Sequence, residues 1–549
     1  MPNVIPAPLS VSEREGAPFL LSAATPVVAT SALAPLARWF VDELAVSTGI
    51  SPTVRDAADG PSIRLELVER HEGLAGLPET GGLRADGGDP NVERHAIEIG
   101  EDGVSVQALA PEGIFRGLTT LLQNAATEHV DGDEVALPAL AILDAPRFAW
   151  RGFSLDVVRR FSPVEEVERV IDLLALYKAN VLHLHLTDSE GWRIEIDAWP
   201  RLGEVSSRTA AQDRPGGMYT KEAYAGLVRY AAERFITIVP EIEMPGHAAA
   251  IYRAYPELAG NGVDPATANL DKAPWFQVLR PDNPRVMPFL RDVLGEVAAL
   301  TPGAYLHIGG DEALGMDPAL YREFMQEAKQ ITYGLGKRVV AWQETARSGF
   351  QPGDVAQLWI SPEQGQGVEI TAQDLPEGFE LPVDAEELGQ AFGEFLKLAA
   401  QDLDKALEQG ASILVSQQSR TYLDTKYREE SADPAQVDDH HRLGMPFYAT
   451  STVAEFYTWD PATIREELDE SRIAGVEAAI WCETIETEAD RFFLTLPRLP
   501  GVLEKGWSAA APEEAAWADY APRLAAQATS WERRGWRYFR SAEVWPGPA

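Results

Sequence analysis

From Trp150 onward the chain alternates short β-rich runs with longer amphipathic stretches. The β-rich runs are Trp150–Val157, Val181–Thr187, Ile236–Met244, Tyr305–Ile308, Arg338–Trp342, Val355–Ile360, Ser412–Ser416 and Gly475–Trp481. The helical patterns between them include Pro163–Tyr177, Lys221–Arg234, Pro284–Leu300 and Pro318–Gln330, with Pro163 and Pro284 where a first helical turn accepts proline. Eight such β/α units in series predict an α/β fold, a (β/α)8 TIM barrel. The Gly/Pro/Glu-rich segment Glu363–Val383 breaks the rhythm and reads as inserted loop, followed by a helix at Ala385–Glu408.

A chain of 549 residues exceeds one ordinary domain. Residues 1–145 read as a smaller α+β domain, with strands at Ser62–Val68, His95–Gly100 and Val104–Ala108 and a helix at Pro111–Ala125. Asp144-Ala145-Pro146 reads as a linker, because proline pushes its predecessor out of helix. The expected organisation is 1–145, a barrel at 146–505 with an insertion at about 361–410, and a helical extension at 506–549 packed on the barrel. The extension carries Trp507, Trp517, Trp531, Trp536 and Trp545, which read as packing rather than as sugar platforms.

Composition narrows the function. Acidic residues number 85 against 47 basic ones, a net charge of -38, which repels phosphate backbones and anionic lipid. No nucleic-acid or membrane partner is expected, and the sequence leaves the oligomeric state open. The single cysteine, Cys482, allows no intramolecular disulfide and no CxxC motif. Residues 1–15 show no basic and then apolar leader, so the expected location is the cytoplasm, or outside the cell if a leader has been removed.

A barrel of this kind gathers its chemistry at the carboxyl ends of its strands. There the sequence places Asp188, Glu241, Glu243, His247, Asp311, Glu312, Trp342, Trp359, Tyr422, Asp424, Trp481 and Glu483. Carboxylates and aromatics alternating around one rim suit a sugar: aromatic faces meet C–H surfaces, and carboxylates meet hydroxyls and move protons. Neighbouring residues of a strand point to opposite faces, so Asp311 and Glu312 serve one site only if the strand has already ended, which Gly309-Gly310 permits. His183-x-His185 supports an alternative, a metal-dependent barrel hydrolase with His183, His185, His247 and Asp311 as ligands. Equally, the two histidines fill the barrel interior. A non-catalytic carbohydrate-binding protein is a further alternative.

The strings Leu155-Asp156-Val157-Val158-Arg159-Arg160-Phe161, His183-Leu184-His185-Leu186-Thr187-Asp188, Gly191-Trp192-Arg193, Pro240-Glu241-Ile242-Glu243-Met244-Pro245-Gly246-His247 and His307-Ile308-Gly309-Gly310-Asp311-Glu312, with Tyr422-Leu423-Asp424 and Trp481-Cys482-Glu483, resemble the family 20 glycoside hydrolases, the β-N-acetylhexosaminidases. The resemblance implies an exo-acting, retaining enzyme that removes terminal β-linked GlcNAc or GalNAc with no cofactor and no metal. It implies Glu312 as general acid, Asp311 as partner of the 2-acetamido N–H, and Tyr422 as donor to the acetamido oxygen. It implies Trp342, Trp359 and Trp481 as pocket walls, and Arg159 and Glu483, with Asp424 nearby, as grips on ring hydroxyls. Asp188 and His247 would tune Glu312, and Trp459 would stack a sugar in the leaving-group site. Departures from the family pattern are Ser189 and Glu190 after Asp188, Glu243 in place of Asp, and Phe235 in place of Gly.

Overall fold

The computed structural model describes residues 2–128, 130–131, 133–259, 277–360, 385–465, 468–510 and 513–546. Eight parallel strands close into a barrel in sequence order: β1 (Trp150–Asp156), β2 (Val181–His185), β3 (Thr237–Glu241), β4 (Tyr305–His307), β5 (Arg338–Trp342), β6 (Val355–Leu358), β7 (Ser412–Val415) and β8 (Ile473–Ile480). Each expected run holds one strand. Most strands stop one to three residues early, because the chain peels away at the carboxyl end to form the rim. The helices Val164–Leu176, Lys221–Ala232, Val286–Leu300 and Pro318–Gly334 lie between strands, and each buries one apolar stripe.

The barrel interior is layered. An apolar plug of Trp150, Val181, Val239, Tyr305, Val340, Val355, Leu414 and Ala474 closes its amino end. Above the plug lie His183, Glu241, His307, Gln357 and Glu477, all buried. Gly152 makes room for them: a Cβ there would sit 2.1 Å from the Glu477 carboxylate. The inserted segment 361–384 lies outside the described residues, and the helix after it spans Ala385–Glu408 as expected. No helix among the described residues is long and apolar enough to cross a membrane.

The amino-terminal unit is built on a seven-stranded sheet in the order Ser10–Glu13, Leu140–Asp144, His95–Gly100, Gly103–Ala108, Ser62–Leu67, Pro26–Val28 and Thr53–Arg55. Helices Ala34–Thr48 and Pro111–Thr127 pack on it and on each other. The three strands expected here are present; Leu140–Asp144 alternates in burial but its sequence, nearly all apolar, does not show it.

The junction with the barrel is tied down, which corrects the reading of Asp144-Ala145-Pro146 as a linker. The Asp144 carboxylate is buried and accepts hydrogen bonds from Lys178 Nζ at 2.7 Å and Trp507 Nε1 at 3.0 Å. Nearby, Glu93 is completely buried and binds Arg116 at 2.7 Å and Arg151, with Arg84 at 3.7 Å. Arg151 opens the barrel, so this carboxylate joins the two units. Glu93→Ala is expected to cost roughly 3–5 kcal/mol, because it strands buried guanidinium groups. A thermal or urea melt checks this, and a loss below about 1 kcal/mol would show that the cluster is hydrated.

The carboxyl-terminal helix Glu513–Arg533, expected on the barrel, reaches it through Trp531 Nε1, which donates to Tyr177 Oη at 2.6 Å. It also contacts the helices Ala34–Thr48 and Pro111–Thr127 of the amino-terminal unit. Trp507 and Trp531 are almost fully buried, so they pack rather than bind sugar. Phe235 takes φ 55°, a left-handed conformation that explains why glycine is usual at this position. Its ring meets Phe115 of the amino-terminal unit, centroids 5.4 Å apart.

Candidate active site

The site begins where β4 ends. After His307 the backbone turns through Gly309 (φ 61°) and Gly310 (φ 106°). A Cβ at Gly309 would lie 2.1 Å from Glu243 Oε1, and one at Gly310 2.2 Å from Thr345 Oγ1. Only glycine passes through this gap. The strand has therefore ended before Asp311 and Glu312, and both carboxyl groups come within reach of one imidazole. His247 Nε2 lies 3.7 Å from Asp311 and 3.6 Å from Glu312. Glu312 itself sits at φ 40°.

Below the pair runs a chain of buried ionic contacts. His183 bridges Glu477 at 2.8 Å and Glu241 at 3.1 Å. Glu241 also binds His185, and His185 meets Asp188 at 2.8 Å. Asp188 in turn meets Arg159 at 2.7 Å and His247 at 3.1 Å. Burial disfavours charge on Asp188, but Arg159 and His247 outweigh it and hold the carboxylate well below its usual range. Burial likewise opposes charge on His247, yet Asp188 raises this imidazole to about 10. His247 thus presents a cation to the acid pair.

The two acids answer differently. Burial pushes Glu312 up, and only His247 and Arg159 pull it back. Burial and then Glu243 raise Asp311 well above the usual carboxylate range. Glu243 is the neighbouring acid that raises Asp311, and among the described residues neither Asp311 Oδ1 nor Glu243 Oε2 has a donor of its own. Two buried carboxyl groups so placed ionise together only at a cost, which favours a proton between them.

Aromatic walls stand beside the acids. Trp342 contacts Trp359 (centroids 6.4 Å, 72°) and Trp481 (6.2 Å, 42°), and Trp481 contacts Tyr422 (5.9 Å, 64°). Two of the indoles are pinned: Trp342 Nε1 donates to Glu241 at 2.9 Å, and Trp359 Nε1 to Glu344 at 3.1 Å. Arg159 lies over Trp481, with Glu483 4.0 Å away. Burial lifts the Glu483 carboxyl to about 7. Asp424 is buried and, among the described residues, neither of its oxygens has a side-chain donor; burial and then Glu483 raise it well above the ordinary range.

Comparisons with known proteins agree with this geometry. Residues 148–318 and 394–510 match the description "Glycosyl hydrolase family 20, catalytic domain", and residues 1–145 match that family's domain 2. The chain is 35% identical to a β-N-acetylhexosaminidase of Cellulomonas fimi, over 100% of this chain and 98% of that one. The chain belongs to glycosyl hydrolase family 20. The solved family 20 β-N-acetylhexosaminidase of Streptomyces coelicolor A3(2) superposes with a TM-score of 0.80 at 35% identity, covering 100% of this chain and 99% of that one. The Streptomyces plicatus N-acetyl-β-hexosaminidase bound to Thio-NAglucal gives a TM-score of 0.80 at 34% identity, covering 100% and 98%.

The structure gathers eleven of the twelve expected site residues of this family 20 chain at one mouth: Asp311, Glu312, Tyr422, Arg159, Asp188, His247, Trp342, Trp359, Asp424, Trp481 and Glu483. Trp459 is the exception. It is buried beside Arg147, Tyr457, Asp460 and Lys505, and the Arg147–Asp460 pair at 2.7 Å places it by the entry to β1. That is the opposite end of the barrel, because the segment leading into β8 must return to the amino end. Trp459→Phe is expected to leave kcat and KM within about twofold of the parent, and a tenfold rise in KM for a disaccharide would restore the leaving-group assignment.

The metal set of the alternative reading, His183, His185, His247 and Asp311, does not assemble. Among the described residues the groups close enough to hold an ion are His183–Glu241–His307 and His185–Glu241–Glu243, all buried. Both ring nitrogens of His183 and of His185 already face carboxylates, so these side chains fill and neutralise the barrel interior. Sequence reasoning places Glu241 on the rim without a role, and gives no sign of Glu344 or Tyr448. Glu344 follows Trp342 by two residues, and a carboxylate so close to an indole it does not itself hold gives little sequence signal. Tyr448 stacks edgewise on Tyr422, centroids 6.2 Å apart.

Proposed function

We propose that this family 20 enzyme is an exo-acting, retaining β-N-acetylhexosaminidase that releases terminal β-linked GlcNAc or GalNAc by substrate-assisted catalysis. The observation that carries the reading is the adjacent Asp311 and Glu312 beside a tryptophan-walled hollow. Such a hollow fits an acetamido methyl, and Asp311 beside it fits the amide N–H.

In this reading Glu312, whose burial favours the neutral acid, gives its proton to the leaving oxygen. The acetamido oxygen attacks the anomeric carbon from the other side and forms an oxazolinium intermediate. Asp311 accepts the N–H and steadies the charge that develops, while its shared proton rests on Glu243. The Tyr422 phenol, raised well above its usual value by burial, stays protonated and donates to the acetamido oxygen. Glu312 then takes a proton from water, whose oxygen attacks the same carbon. Two inversions retain the configuration.

The test is a panel of aryl β-glycosides differing only at C2 and C4. Turnover is expected with the 2-acetamido sugars and to fall at least about 10³-fold with a 2-hydroxyl. Comparable rates for both would overturn substrate assistance.

A further inference from the structure

Glu483 sits on the loop that leaves β8, and a loop residue needs something to hold its backbone before it can read a sugar. From within the barrel, the Cys482 N–H donates to Asp156 Oδ2 at 3.0 Å. From outside, Arg160 Nε donates to the Glu486 carbonyl at 3.1 Å, and Arg214 makes most of the remaining contacts. Arg214 donates from Nη1 to the carbonyls of Cys482 (3.1 Å) and Ile485 (2.7 Å), and from Nη2 to that of Glu483. Its Nη2 also donates to Gln212 Oε1 at 2.8 Å, while Gln212 Nε2 reaches the Glu483 carbonyl at 3.3 Å. Among the described residues no carboxylate pairs with Arg214, so its fork is spent on backbone oxygens more than 265 residues away in sequence.

The loop that carries Arg214 touches the other hydroxyl grip as well. The Ala211 N–H donates to the Arg159 carbonyl at 3.1 Å. Between these anchors Gln212 and Asp213 adopt φ 57° and 56°, conformations that disfavour non-glycine residues by roughly 1 kcal/mol each. The loop accepts that strain and, in exchange, spans from the Arg159 backbone to the Glu483 backbone.

We propose that Arg214 is a positioning residue for substrate recognition: it sets the distance and angle at which Glu483 faces Arg159, and through them the enzyme's grip on the sugar hydroxyls remote from C1. The proposal rests on the hexosaminidase reading for its substrate. A guanidinium suits the task because its donors lie in one rigid plane, whereas an ammonium has no fork to span three carbonyls.

The test uses Arg214→Ala and Arg214→Lys in the full chain. The substrates are aryl N-acetylglucosaminide, its galacto epimer, and analogues each lacking one ring hydroxyl. For Arg214→Ala, KM on the parent substrate is expected to rise about tenfold, with kcat within about threefold, and Arg214→Lys is expected to recover only part of the loss. The decisive readout is coupling: the penalty should shrink on at least one deoxy analogue, because the contact that Arg214 orients is already missing there. Equal penalties on every substrate would overturn the proposal. Amide hydrogen exchange at residues 482–487 in the free protein gives a reading that needs no substrate. Faster exchange in Arg214→Ala is expected, and unchanged exchange would also overturn it. If the parent turns over none of the sugars, the hexosaminidase reading fails, and the exchange measurement still decides the role of Arg214.

Discussion

Glu312→Gln is expected to lower kcat about 10³–10⁴-fold on a glycoside with a poor leaving group, while affinity for the released amino sugar changes less than about threefold. The substitution keeps the shape of the side chain and removes the proton that breaks the bond. The effect should depend on the leaving group: an aryl oxide that departs without help should lose far less than an alkyl sugar. The pH profile supplies the sign. Only the protonated acid can donate, and burial holds Glu312 above the usual carboxylate value. Activity should therefore persist below that raised value and fall as pH rises through it. In the glutamine variant this limb should vanish from whatever rate remains. Losses of equal size across leaving groups, or near-normal kcat, would remove Glu312 from the acid role.

Asp311→Asn is expected to lower kcat about 10²–10³-fold, with a smaller change in KM. The cause is the proton shared with Glu243. In the free enzyme that proton relieves two facing carboxyl groups. An arriving amide N–H gives Asp311 a donor of its own, so the proton can settle on Glu243 and leave Asp311 charged opposite the growing positive charge. Asparagine keeps the size, carries no charge, and presents an NH2 where an acceptor is needed if it is turned the wrong way. A thiazoline mimic of the intermediate should weaken about 10²-fold against the same variant. Unchanged affinity for the mimic together with unchanged kcat would mean that the acetamido group does not take part.

The sequence reading found the barrel because its strands are long enough and apolar enough to stand out between amphipathic helices. It missed Pro26–Val28 and Thr53–Arg55, which are three residues each and find their places through neighbouring strands. Asp311 and Glu312 were legible because two glycines before them announced that the strand had ended. Glu344 was not, and Glu243 was legible on the rim but not in its role, since the effect of both comes from what they face across the barrel. Trp459 was misplaced for a topological reason: a tryptophan before a strand and a tryptophan after one look alike in sequence but lie at opposite ends of the cylinder. The terminal helix showed the same limit. Its tryptophans read correctly as packing, but nothing local said that the surface they pack on belongs to two units.

The cluster around Glu93 and Asp144 has a bearing on how the protein could be engineered. Arg151 and Lys178 belong to the barrel, yet their counter-charges come from residues before it. A shortened version beginning at the first barrel strand would carry two uncompensated cations on a bare apolar floor, where the expected result is aggregation rather than a compact catalyst. Heating the intact chain should accordingly give one calorimetric peak instead of two. Any attempt to graft this barrel onto another support would have to bring along acids placed to meet those two cations.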